Sequence, residues 1–257
     1  MSKIYAALEH AQAERSARKA AGTVEPLHDT TVVNGRRAQI TPARVRDTAG
    51  PAVDNEIAAL YDPVLSSFPQ HRGVVVFTSP NKGAGTSTVA RKFALFLAEQ
   101  ADRATLLMDA DRLKPSQLSH FKATEVIEGD EMACQGEPVE LSRHVIRNSK
   151  LKLAGFAKQA NQLAVPIAMQ RVEPLLTGFR EKFDVTVIDC QPPETAPETT
   201  ALASKADCVV LVLDADRTRA WQARRCTEVI ESRGGQIIGL VFNKHRAHMP
   251  RWLRGRQ

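Results

Sequence analysis

Three aspartates and one loop of small residues carry the chemistry this sequence offers. The apolar run GVVVFTS (73–79) leads into PNKGAGTSTVARKF (80–93), so a strand pattern passes through glycines into helical spacing. That succession is a geometry for holding phosphates. Glycines let backbone N–H groups turn inward, and the helix start presents positive potential. Asp109 and Asp111 close the run ATLLMDAD (104–111), and Asp189 closes VTVIDC (185–190). Carboxylates leaving the carboxyl ends of parallel strands beside such a loop are the makings of a Mg²⁺–nucleotide site. One such Asp would read as a turn cap; three in this strand order point to the site.

The loop departs from the phosphate-binding pattern G-x-x-x-x-G-K-[ST] at a decisive place. Pro80 stands at the first Gly, Gly85 at the second, Ser87 at the metal-binding hydroxyl, and Thr86 where the lysine belongs. Lys82 is the cation inside the loop. Two readings stay open for it, a phosphate contact in its own or a facing subunit, or a solvated side chain.

The elements that must position these residues are legible from apolar runs. Besides the three above, LKLAGF (151–156), DCVVLVLDAD (207–216) and IIGLVFNK (237–244) are apolar on both faces. Such strands belong to a largely parallel sheet covered by helices on each side. The segments STVARKFALFLAEQ and TRAWQARRCTEVIESRG have amphipathic helical spacing between strands. The expected fold is α/β, a doubly wound, mostly parallel sheet over 55–245 with an N-terminal helical arm. Residues 1–20 read as a docking helix with a thin seam at Ile4, Tyr5, Leu8 and Ala11, 21–54 as a flexible linker, and 246–257 as a basic tail.

The charge balance narrows the partners. Of 35 basic residues against 29 acidic, Lys244, Arg246, Arg251, Arg254 and Arg256 fall in 244–257, which holds no acid. The rest is nearly neutral, so no nucleic acid is expected as a partner. No apolar run approaches the roughly 18–20 residues of a membrane-spanning helix, and MSKIYAALEHAQAERSARK lacks the form of a secretory signal. A cytoplasmic chain is expected. Cys134, Cys190, Cys208 and Cys226 form no C-x-x-C pair and have no histidine at zinc spacing, so neither disulfides nor a metal is expected of them, and Cys190 and Cys208, in apolar runs, read as small buried hydrophobes.

The order of MSKIYAALE, TSPNKGAGTST, LLMDADRLKP, FDVTVIDCQPP and GLVFNK resembles the P-loop tyrosine kinases of bacterial capsule and exopolysaccharide assembly, relatives of the partition- and Min-type ATPases. The resemblance implies ATP or ADP with Mg²⁺ as cofactor. It implies a nucleotide site at Lys82, Gly83, Ala84, Gly85, Thr86, Ser87 and Thr88, with Asn243 facing the base. Asp109 and Asp111 would lie near metal and acceptor as catalytic residues, and Ser87, Asp109 and Asp189 around the metal. It also implies a membrane partner of the chain-length-regulator type, a polysaccharide co-polymerase, which would hold the chain at the inner membrane, and a possible homo-oligomer.

The departures shape the functional expectation. Besides Thr86, Ala84 replaces the family's usual Glu, Arg112 and Leu113 are swapped, and Gln191 separates Asp189 from Pro192 and Pro193. The segment at Glu56, Ala59 and Asp62 lacks the family's assembly arginines. The tyrosines are Tyr5 and Tyr61, so the family's C-terminal tyrosine cluster has no counterpart. The expectation is a kinase-like subunit of a polysaccharide synthesis and export system, a weak nucleotide binder or pseudokinase. The alternatives are an active positioning ATPase, with MPRWLRGRQ as a surface anchor, and an active tyrosine autokinase.

Overall fold

The computed structural model describes residues 43–45, 55–111, 115–121, 141–145, 149–156 and 169–244. The expected docking helix, the basic tail at 246–257, Arg112, Leu113 and Cys134 lie outside the described residues. So does most of the expected linker.

Eight strands form one sheet among the described residues: β1 (Ala43–Val45), β2 (Gly73–Thr78), β3 (Thr105–Asp109), β4 (Leu141–Val145), β5 (Leu151–Phe156), β6 (Val185–Asp189), β7 (Cys208–Asp214) and β8 (Ile237–Asn243). Their spatial order is β1-β8-β7-β2-β6-β3-β5-β4. All neighbours pair in parallel except β4, which runs antiparallel to β5. The doubly wound, mostly parallel α/β fold is therefore as the apolar runs indicated. Two edge strands were not anticipated. β4 reads LSRHV, with apolar residues only at its ends, and β1 falls inside the stretch 21–54 taken for linker.

The sheet is buried because its strands are apolar on both faces. Every residue of β2, β3, β6 and β7 is buried. Helices cover each side: α1 (Asn55–Ala58), α2 (Tyr61–Ser66), α3 (Thr86–Glu99), α4 (Gln117–His120), α5 (Met169–Lys182), α6 (Pro197–Lys205) and α7 (Ala220–Glu231). Alternation along β2 divides the core in two. Val74 and Val76 pack with Leu175, Phe179, Leu202 and Ile230 of α5, α6 and α7. Val75 and Phe77 pack with Val89, Phe93 and Leu97 of α3 and with Ile57 and Val64. Phe77 and Phe93 meet with ring centroids 5.6 Å apart, and each buried ring contributes about 2–3 kcal/mol of apolar burial. The result fixes α3 against β2, so the loop joining them is held at both ends. Among the described residues no helix is long and apolar enough to cross a membrane.

Candidate functional site

The loop between β2 and α3 is shaped by two glycines with left-handed backbone, Gly83 (φ 81°) and Gly85 (φ 91°). Gly85 must be glycine for a second reason. A Cβ there would stand 2.0 Å from the Asn243 amide nitrogen. The Gly85 carbonyl accepts the N–H groups of Thr88 and Val89, both at 3.0 Å, and starts the helix. Thr86, at the lysine position, is 7% exposed and packs inward. Ala84 is buried, Ser87 and Thr88 are half-buried, and Lys82 and Gly83 are exposed.

Three distant segments hold this loop. Asn243, at the end of β8, donates its amide to the Ala84 carbonyl at 2.8 Å. It is 5% exposed and turned onto the loop. Lys244, counted with the basic end of the sequence, places its Nζ on the Gly83 carbonyl and 3.6 Å from the Asp214 carboxylate. Asn81 exchanges amide hydrogen bonds with Gln222 of α7, at 3.2 and 3.0 Å. Beside this pair a small open cleft lies between Pro80, Pro193, Glu194 and Trp221, the last 60% exposed.

Parallel pairing of β3 with β6 sets Asp109 directly opposite Asp189. The two differ in what they face. Asp109 is 1% exposed and accepts the backbone N–H groups of Asp111 (3.0 Å), Ser116 (2.6 Å) and Gln117 (2.9 Å). Burial still raises its pKa against those bonds. Its carboxylate anchors the segment that follows β3. Asp111 is half-buried and contributes its backbone N–H to that anchor.

Asp189 is the group whose electrostatics are most displaced. Burial pushes its pKa up to about 7, with the Asp109 charge adding to the rise; hydrogen bonds from Gln117 and Ser87 and the Arg91 charge oppose it. Gln117, fully buried, links four groups. Its side-chain amide donates to Asp189 at 2.7 Å and to the Ser87 carbonyl at 3.0 Å, its side-chain oxygen accepts from Arg91 Nε at 2.8 Å, and its backbone N–H reaches Asp109. Gln191, the residue inserted after Asp189, is held by its carbonyl between the hydroxyls of Thr78 and Thr199, at 2.8 and 2.9 Å. Cys190, Cys208 and Cys226 are free and buried. Burial and the Asp189 charge push the Cys190 thiol well up, the reverse of a nucleophile's need.

The structure thus gathers the loop, Ser87, Asp189 and Asn243 at the carboxyl edge of the sheet. Sequence reasoning missed Gln117, Arg91 and Lys244. Arg91 had a signal, since it lies four residues after Ser87 and hence on the same helix face. Lys244 had one too, as the neighbour of Asn243. Gln117 had none.

A loop with two left-handed glycines, a helix start and the neighbouring Ser87 and Asp189 suit a nucleotide with Mg²⁺, which takes few protein ligands and draws the rest from phosphates and water. Ser87 and Asp189 are the residues that would hold the metal.

Comparison with known proteins gives a consistent answer. The family model described as "ParA: NUBPL iron-transfer P-loop NTPase" matches residues 70–253. The tyrosine-protein kinase CpsD of Streptococcus agalactiae is 27% identical over 173 residues, covering 66% of this chain and 75% of its own length. The VpsO kinase domain superposes with a TM-score of 0.59 at 25% identity, over 74% of this chain and 94% of that one. The septum site-determining protein MinD from Pyrococcus horikoshii, solved with Mg-ADP, shares the fold with a TM-score of 0.54 at 15% identity, over 69% and 72% of the two chains.

Proposed function

Because this chain belongs to the ParA family of P-loop NTPases, and its relatives include bacterial tyrosine kinases, we propose that it is a kinase-like, nucleotide-binding subunit of a capsule or exopolysaccharide assembly system. The observation that carries the reading is the loop itself. Two left-handed glycines open it onto the start of a 14-residue helix, with the Gln117 amide joining Asp189 and the Ser87 carbonyl beside it.

The same geometry argues for binding over phosphoryl transfer. A lysine at position 86 would neutralise charge on the transferring phosphoryl group, and Thr86 is uncharged and turned inward. Losing one preorganised charge contact in such a site costs about 3–4 kcal/mol, two to three decades in rate. Asp109, bonded to three backbone N–H groups, does not offer a base. In this reading a nucleoside di- or triphosphate lies on residues 83–88, Ser87 and Asp189 face the metal, and Asn243 holds the loop. The membrane partner, a chain-length regulator of the export system, docks on the cytoplasmic side through residues 1–20.

Titrating the full chain with labelled ADP and ATP, with and without Mg²⁺, tests the reading. Trp221, exposed beside the loop, gives a second optical signal. Micromolar binding with no phosphotyrosine formed on the chain is expected. A folded protein that binds neither nucleotide overturns it. ATP-dependent dimerisation with steady hydrolysis would instead identify a positioning ATPase, the activity class of the family's partition-type members.

A further inference from the structure

The loop lacks its lysine at position 86, yet a lysine lies against it. β8 ends in Asn243, Lys244 follows, and the two side chains reach consecutive loop carbonyls, Ala84 and Gly83. Lys244 adopts φ 60°, a left-handed backbone seldom taken by a residue with a long side chain. That turn at the strand end sends its stem across Gly85. The Lys244 Cε lies 3.8 Å from where a Cβ on Gly85 would stand. A side chain at Gly85 would collide with Asn243 and only touch the Lys244 stem.

The charge at the end of that stem is placed for an anion. Its side chain is 43% exposed, whereas Asp214, its ion-pair partner at 3.6 Å, is 8% exposed. Asp214 in turn accepts the N–H groups of Asp216 and Arg217, both at 3.1 Å, which fixes the carboxylate in place. An ammonium group has three donors. It can keep Asp214 as a hinge and exchange the neutral Gly83 carbonyl for a charged phosphate oxygen, a contact roughly twice as strong. Lys82, by contrast, is exposed on the same loop and makes no hydrogen bond or ion pair among the described residues.

We propose that Lys244 is the phosphate-binding cation of this site, supplying from the end of β8 the positive charge that the loop lacks at Thr86. The proposal rests on the nucleotide-binding reading above.

The test uses the full chain and three variants, Lys244→Gln, Lys244→Arg and Lys82→Gln, with Mg²⁺–ADP as the probe and the affinity measured across a salt series. Lys244→Gln is expected to weaken ADP roughly tenfold to a hundredfold. Its affinity should also depend less steeply on salt than the parent's, as one fewer charge faces the phosphates. Lys244→Arg should restore most of the affinity. Loss of affinity with the parent's salt dependence would make Lys244 a strut for the loop and overturn the proposal. So would ADP binding within twofold of the parent, or a loss confined to Lys82→Gln. A folded parent that binds no ADP would refute the nucleotide reading itself, and the proposal with it.

Discussion

Replacing Asp189 by asparagine should make the protein more stable at pH 8, with a pH signature that identifies the cause. The carboxyl is buried opposite Asp109, and its pKa in the fold stands at about 7 against an ordinary 3.8. The folded chain therefore holds this proton more tightly than the unfolded one. Its contribution is complete below pH 3.8 and is lost as the pH rises through 7. The whole displacement is worth about 4 kcal/mol, more than half of which falls between pH 5 and pH 8. The asparagine side chain would keep an oxygen for the Gln117 amide and offer its nitrogen to the Ser87 hydroxyl, so the loss of charge-assisted bonding is on the order of 1 kcal/mol. Urea unfolding of parent and Asp189→Asn, nucleotide-free and in chelator, should be compared at pH 5, 6, 7 and 8. The stability difference should move in favour of the variant by about 2–3 kcal/mol across that range. A difference that does not change with pH, or a variant less stable at pH 8, would refute the reasoning about burial.

Other perturbations follow from the same contacts. Gly85→Ala adds a Cβ 2.0 Å from the Asn243 nitrogen at a φ of 91°, and thermal melting should show a loss of about 2–5 kcal/mol. Phe93→Ala empties a site between α3 and Phe77 and should cost about 3–5 kcal/mol in urea unfolding. Gln117→Leu leaves Asp189 without its 2.7 Å donor. The loss, about 1–3 kcal/mol, should be larger at pH 8 than at pH 5, because the carboxylate is the form that needs the bond. Thr86→Lys should tighten Mg²⁺–ATP less than tenfold in the parent but tenfold or more in a Lys244→Gln background, and the non-additivity of that cycle measures whether the two cations share one phosphate group.

Local pattern was sufficient for the central six strands, because a strand covered on both faces must be apolar along its whole length. GVVVFT and CVVLVLD could hardly lie anywhere else. The loop was legible for a similar reason, since Gly83 and Gly85 do what other residues avoid. The aspartates at strand ends could be named from sequence, but their roles could not. Asp109 and Asp189 are set face to face by the pairing of β3 with β6, strands far apart in the chain. What each carboxylate does then depends on whether backbone N–H groups or a buried amide meets it. The edge strands escaped notice because an edge needs only half the apolar residues of a central strand, and LSRHV has them only at its ends. Gln117 and Lys244 escaped for a deeper reason. A glutamine is polar in any helix and a lysine basic in any tail; only the closed sheet brings the first to Asp189 across 72 residues and the second to Gly83 across 161. Residue type and spacing determined which groups this chain carries to the carboxyl edge of its sheet, while burial and strand order, which exist only once the chain is closed, decided which of them are charged, which are held, and which are free to meet a ligand.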